Sequence, residues 1–337
     1  MILTIAIPTF NRANRLRKAL AELLRLINES SSKKYVSVLV CDNGSADDTG
    51  IVLAQSSTLF EESEIPFTFK KFNQNRGFDA NILSCYAESS TEYVWFLSDD
   101  DNVREGVIDT IIRDISEYAP SVIYYNFDQK PYTTADPYIK APEFFDVVAP
   151  ENLRSLKKII AWPKLTSVVI RSAEAGLQVQ DNKSWFAHVA LAMQCGLSHG
   201  RILHSTEFIA FPDDDYMDNI NFPPYIGNDL NIAIKQTLLL SGRMDLYDQL
   251  ALSYGDPLSS SLNTLGAYYR GRFALTPSLK RELVKTVKHE LKNVGINRVS
   301  DLTLHKEVIK FILSLSYGIG CGVLSKTLRV LEKIKSI

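Results

Sequence analysis

Five short apolar runs alternate with helical stretches over residues 3–127, and that rhythm constrains the fold more than any other feature. Leu3–Ile7, Tyr35–Cys41, Phe67–Phe72, Tyr93–Leu97 and Ser121–Phe127 read as strands. Between the first two, Leu16, Ala19, Leu20, Leu23, Leu24 and Ile27 recur at helical spacing. A helical stretch runs from Phe78 to about Ser89, and Val107–Tyr118 reads as another. Strands alternating with helices predict an α/β fold with an open, mostly parallel central sheet. Ligands of such sheets bind beyond the carboxyl ends of the strands. The polar clusters Pro8–Arg12, Asp42–Asp48, Asn73–Gly77 and Asp99–Asp101 all fall at that end of their strands, so one rim of the sheet is the candidate site.

The sharpest of these clusters is Ser98-Asp99-Asp100-Asp101. Three adjacent carboxylates repel one another unless a positive partner sits among them. A hard divalent cation with oxygen ligands, itself holding a diphosphate, is the simplest partner. The bland alternative is a solvated acidic turn that caps the next helix. At the other loops, Arg76-Gly77 suits a phosphate contact, because glycine admits close backbone approach and arginine offers a planar fork. Asp42 suits either a base or ribose contact or a local Asx turn.

Composition narrows the class. The 337 residues are 45% hydrophobic and 23% charged, with a net charge of −2, which fits a globular protein and argues against a nucleic-acid binder. Four scattered cysteines show no metal-finger spacing, and reduced thiols in a cytoplasmic setting are expected. The first strand begins within two residues of Met1, leaving no room for a signal peptide. The charge is uneven: residues 270–337 hold 14 Lys and Arg against 5 Asp and Glu, a net of +9, which leaves −11 for the rest. That tail contains the apolar stretch Val308–Leu324, shorter than a bilayer span. A packed helical region with a basic face and a peripheral anchor on an anionic membrane both fit it.

Several chemistries are missing their motifs. No GxxxxGK[ST] occurs and no GxGxxG follows the first strand; the one GxSxG, Gly196-Leu197-Ser198-His199-Gly200, follows the helical pattern around His188 and Leu191 and not a strand, so it is no nucleophile elbow. An aspartyl nucleophile would stand after the first strand, where the chain reads Pro8-Thr9-Phe10-Asn11. Chemistry with a nucleotide pocket, a metal on a diphosphate and no covalent enzyme intermediate remains.

Four blocks together, Ile5–Arg12, Val40–Asp47, Asn73–Gly77 and Phe96–Asp101, resemble family 2 glycosyltransferases of the GT-A fold. Within that family the chain is similar to abequosyltransferase-like enzymes of bacterial O-antigen and surface-polysaccharide synthesis. The resemblance implies a Rossmann-like sheet flanked by helices, with a helical C-terminal extension. It implies a nucleotide-sugar-binding half over 1–125, an acceptor-binding half over 126–225 and a helical, basic, possible membrane-associated region over 226–337. It implies that Pro8, Thr9, Asn11, Arg12, Asp42, Asn43, Ser45, Arg76, Gly77, Asp99 and Asp100 surround the nucleotide. It further implies that Asp99 and Asp101 hold Mg²⁺ or Mn²⁺.

The implied activity is inverting transfer of a hexosyl or deoxyhexosyl group from a nucleotide-diphosphate donor. The implied acceptor is a saccharide, lipid-linked at the cytoplasmic membrane face. Many relatives place a catalytic Asp three residues before a Leu on a helix. Here His188 stands three residues before Leu191, and imidazole can accept a proton near neutral pH. Asp181, just ahead of this helix, is the alternative base, and Trp185 is a candidate surface for an acceptor sugar. Two rivals stay open: a sugar nucleotidyltransferase, although residues 11–14 lack the glycine of a phosphate loop, and a non-catalytic nucleotide- or glycan-binding protein.

Overall fold

A computed structural model describes residues 1–127, 143–146, 164–172, 185–212, 233–234 and 236–246. These residues lie in one compact unit bounded by Met1–Ile220 and Ala233–Leu246. Asp181, the second acidic run Asp213–Asp215, which reads as a surface turn after the apolar run Glu207–Phe211, and the basic tail lie outside the described residues.

The chain enters the sheet at β1 (Leu3–Thr9), crosses over through α1 (Ala13–Glu29), and returns in parallel as β2 (Val36–Asp42). Helix α2 (Thr49–Glu62) leads to β3 (Phe67–Lys71), and α3 (Phe78–Glu88) leads to β4 (Tyr93–Phe96). Then follow β5 (Asp101–Val103), α4 (Val107–Tyr118), β6 (Val122–Phe127), β7 (Glu143–Asp146), β8 (Val168–Arg171), α5 (Ala187–His199) and β9 (Arg201–Pro212). The sheet order is β3-β2-β1-β4-β8-β6-β9-β5, with β7 also on β9. β8 runs antiparallel to both β4 and β6, and β5 and β7 run antiparallel to β9. Among the described strands six therefore share one direction, and the sheet is mixed but mostly parallel.

The core explains why the central strands read so clearly. Every residue of β1 is buried, as expected of a strand covered on both faces. Leu16, Leu20, Leu23 and Ile27 of α1 are fully buried along one stripe against it. Each such side chain contributes about 1.5–3 kcal/mol of burial free energy. Trp95 of β4 is also fully buried, and its indole N–H donates to the Thr166 carbonyl at 2.8 Å.

Some elements depart from the sequence expectation. The α2 segment shows no amphipathic stripe, because Thr49 and Ser56 face the core while Ile51 and Leu59 are exposed. After β4 the chain adds the short edge strand β5 before its next helix, and Asp101 belongs to that strand. Helix α5 begins at Ala187, two residues later than the apolar pattern suggests, because Trp185 has a left-handed backbone with φ +64°. Among the described residues no helix is long and apolar enough to cross a membrane.

Candidate functional site

The carboxyl ends of β1, β2 and β4 lie side by side, and their loops are hydrogen-bonded into one rim. Thr9 ends β1 in register with Asp42, which ends β2. The Thr9 hydroxyl donates to Asp99 Oδ2 at 2.6 Å, tying the β1 loop to the acidic run after β4. Arg12 donates to Asp99 Oδ1 at 2.7 Å and to Asp100 Oδ2 at 2.9 Å. Arg15 approaches the same Asp100 oxygen at 3.4 Å, and the Ser98 hydroxyl donates to the other oxygen of Asp100.

The β2 loop is built on side chains that replace backbone partners. Asp42 Oδ1 accepts the Ser45 N–H, three residues on, at 2.9 Å and fixes the start of the loop. Its Oδ2 is buried with no hydrogen-bond partner, and the nearest cation is Lys71 Nζ at 4.0 Å. A buried carboxylate oxygen left this way is costly and suits a ligand N–H or O–H. Asn11 sits at φ +52°, which asparagine tolerates; its N–H donates to Ser45 Oγ and its Oδ1 accepts the Ala46 N–H, both at 2.8 Å. Asp47 accepts the Ala13 N–H at 3.0 Å and the Thr49 hydroxyl at 2.5 Å, so one carboxylate caps both α1 and α2. Burial works against its charge, but these donors hold its pKa below the ordinary value.

Asn43 joins the β2 loop to the β3 loop. Its amide donates to Asn75 Oδ1 at 2.9 Å and to the Gly77 carbonyl at 3.0 Å, and its oxygen accepts the Arg76 N–H at 3.0 Å. Gly44 is obligatory here: φ is +81°, and a Cβ would stand 2.6 Å from the Gln74 carbonyl carbon. The Arg76 guanidinium lies 3.7 Å from the Phe72 ring centroid and donates to Ser84 Oγ at 2.5 Å. Pro8 is buried within β1, opposite Cys41.

The acidic run is electrostatically divided. Burial raises the Asp99 pKa, and the Arg12 charge and Thr9 hydroxyl oppose that rise. Burial also works against the charge on Arg12, but Asp99 and Asp100 beside it hold its pKa above the ordinary value. Asp101 is pushed up to about 7 by burial and by the charge of Asp100, although Thr166 donates a hydrogen bond to it. Both oxygens of Asp99 are thus engaged by Thr9 and Arg12, while Asp101 accepts the Thr166 hydroxyl and feels the charge of Lys164. No three His, Cys, Asp or Glu side chains among the described residues form a complete ligand set by themselves. A cavity of about 420 Å³ opens beside the run, between Arg15, Lys18 and Glu22 of α1 and the start of β5.

On the other flank, Asp79 of α3 accepts the N–H of Trp185 at 3.0 Å and of Ala187 at 3.1 Å. It therefore caps α5 from a different helix. His188, in the first turn of α5, is buried with its ring 6.5 Å from Phe78 and 6.1 Å from Phe186. Apart from Asp181, Asp213–Asp215 and the basic tail, every block singled out in the sequence is therefore described, and the nucleotide-side residues form one connected network. Sequence reasoning missed Thr166 and Asp79. Thr166 carries no motif and lies 65 residues from Asp101. Asp79 sits in the first turn of its own helix, and no sequence pattern links it to α5 across more than 100 residues of chain.

Residues 4–168 match Glycosyl transferase family 2. This part of the chain is a family 2 glycosyltransferase domain. A curated relative from Campylobacter jejuni, GalNAc(5)-diNAcBac-PP-undecaprenol beta-1,3-glucosyltransferase, is 29% identical over 115 residues, 34% of this chain. The match spans only 35% of that relative's length. S. aureus TarS 1–349 in complex with UDP-GlcNAc superposes with a TM-score of 0.61 at 14% identity, covering 100% of this chain and 91% of the other. The mannosyltransferase PcManGT from Pyrobaculum calidifontis, in complex with GDP-Man and Mn²⁺, gives 0.54 at 11% identity, covering 98% and 86%. The fold of the family 2 domain is GT-A.

Proposed function

We propose that this glycosyltransferase moves a sugar from a nucleotide-diphosphate donor to a saccharide hydroxyl with inversion. The observation that carries this reading is Asp42: a buried carboxylate with one oxygen that accepts no hydrogen bond, at the centre of a rim that also holds Thr9, Arg12, Asn43 and Arg76. Asp42 accepts hydrogen bonds from the nucleoside, while Asn11, Arg12, Asn43, Ser45, Arg76 and Gly77 shape and charge the surrounding loops. UDP is the first donor base to test, because the TarS complex holds UDP-GlcNAc.

The acidic run fits a divalent cation. Its oxygen donors suit Mg²⁺ or Mn²⁺, and one or two carboxylates with substrate phosphates are the usual ligand set of Mg²⁺. Asp101 is the leading ligand, with Asp99 and Asp100 beside it; Asp99 also anchors Arg12 and Thr9. When bound, such a cation supplies positive charge against which a diphosphate can leave. His188 removes the proton from the acceptor hydroxyl, whose oxygen attacks the anomeric carbon as the carbon–diphosphate bond breaks. One displacement inverts that centre. Asp181 is the alternative base.

The Campylobacter relative is named for a lipid-linked acceptor, which supports a lipid-linked saccharide at the cytoplasmic face of a membrane and a role in O-antigen or related surface-polysaccharide synthesis. The basic tail of residues 270–337 would suit anionic lipid. The deciding experiment follows nucleoside-diphosphate release from UDP-sugars with Mn²⁺, with and without a membrane saccharide-lipid extract. Acceptor-dependent release supports transfer. A nucleotidyltransferase would instead form pyrophosphate from a nucleoside triphosphate and sugar phosphate, and a binding protein would release nothing.

A further inference from the structure

Trp185 combines three properties that packing alone does not require. It is 47% exposed, it is a bulky residue held at φ +64°, and its ring stacks on Phe78 at 5.5 Å and 16°. A left-handed backbone at a non-glycine residue is strained and persists only where the surroundings impose it. They do so here: the buried Asp79 carboxylate accepts the N–H groups on both sides of the bend, at Trp185 and Ala187. The strained bend thus holds a Trp side chain that stacks on Phe78 and stays about half exposed.

Its place is equally specific. Phe78 follows Gly77, whose carbonyl accepts the Asn43 amide next to Asp42. One turn further along α3, the Asn81 amide donates to the Cys41 carbonyl at 3.1 Å. The Phe78–Trp185 stack therefore stands on the same rim as the nucleotide loops, and His188 lies edge-on to Phe78 on its buried side. The electron-rich face of an indole attracts polarised C–H groups, and a pyranose ring offers a face of them while its hydroxyls stay in water.

We propose that Trp185, braced by Phe78 and fixed by Asp79, is the stacking platform for the pyranose ring of a sugar at the transfer site. This rests on the glycosyltransferase reading and adds a specificity residue to it. A pyranose could belong to the donor or to the acceptor, and the test separates the two. The full chain and its Trp185→Phe and Trp185→Gly variants are titrated with methyl pyranosides by saturation-transfer NMR. They are also titrated by calorimetry, in Mn²⁺, with UDP-GlcNAc and with whichever of UDP, GDP, CDP and dTDP binds the wild type. Glycine relieves the strained backbone while removing the ring, so Trp185→Gly keeps the fold and loses the platform. The expected result is at least tenfold weaker sugar binding in Trp185→Gly, substantial recovery in Trp185→Phe, and nucleoside-diphosphate affinity within twofold of wild type. Loss for free pyranosides assigns the ring to the acceptor, and loss for UDP-GlcNAc but not UDP assigns it to the donor. Unchanged sugar affinity in Trp185→Gly overturns the proposal, as does an equal loss for the nucleoside diphosphate. If wild type binds none of the four nucleoside diphosphates, the glycosyltransferase reading fails separately, and the pyranoside arm still judges the platform.

Discussion

The two sides of the sheet are built differently. On the β3-β2-β1-β4 side, four parallel strands follow one another along the chain, and each loop after a strand feeds the same rim. On the other side, β8 enters between β4 and β6 from far along the sequence, antiparallel to both, and β9 returns to pair with β5, β6 and β7. The first side is a continuous stretch whose side-chain hydrogen bonds lock loop to loop. The second joins to it through the antiparallel β4–β8 pairing and a few long-range hydrogen bonds, chiefly Trp95 and Ser98 to Thr166 and Asp79 to α5. Chemistry common to a family can reside on the first side, and variation in acceptor can be carried by the second.

That contrast can be broken by mutation. The largest effect is expected from His188→Ala on the second side. General-base assistance is worth about 10²–10⁴-fold, so turnover should fall by that factor while nucleotide affinity is retained. A variant that is folded by circular dichroism yet keeps most of its turnover moves the base to Asp181. Next is Asp101→Asn, which removes a formal charge at the candidate cation site. Steady-state kinetics should show turnover down by about 10²–10³-fold, comparable to losing one preorganised electrostatic contact.

Gly44→Ala probes the rigidity of the first side. The added Cβ would meet Gln74 backbone and force an unfavourable φ. Denaturant melts should show a loss of about 1–3 kcal/mol, together with weaker nucleotide binding. A neutral result would mean that the Asp42–Asp47 and Asn73–Gly77 loops are not mutually locked.

A smaller effect concerns pH. Asp101 titrates at about 7 in the folded chain without metal, against about 3.9 for an unperturbed Asp. Between those values the folded state binds more protons than the unfolded state, so stability falls as pH rises through this window. The melting temperature of the metal-free protein should drop by a few degrees between about pH 5 and pH 8, and Asp101→Asn should flatten that slope. Mn²⁺ with nucleotide should recover the loss at the upper end.

The legibility of the sequence follows the same division. β1 announced itself because burial on both faces requires an unbroken apolar run, and α1 because its leucines follow one stripe. The rim residues Thr9, Arg12, Asp42 and Asn43 were legible because each directly follows or ends such a strand. α2 was not, since its buried face includes Thr49 and Ser56 while two large apolar residues face solvent. Nor could Thr166 or the role of Asp79 be read, because both depend on pairings across 65 residues or more of chain. The positive φ of Trp185 has no signal in a residue that is not glycine or asparagine.

The central claim is that the first side, together with Asp101 at the start of β5, forms a metal-assisted nucleotide-sugar site, and thermal stabilisation tests it most directly. UDP, GDP, CDP and dTDP are each added at saturation with Mn²⁺ or with EDTA, to wild type and to Asp101→Asn. Ligand at about a hundred times its Kd adds roughly 2.7 kcal/mol to stability. The account predicts that at least one nucleotide raises the melting temperature of the wild type by several degrees only when Mn²⁺ is present, and that Asp101→Asn loses this rise. No rise with any nucleotide, or an equal rise in EDTA and in Asp101→Asn, would contradict it.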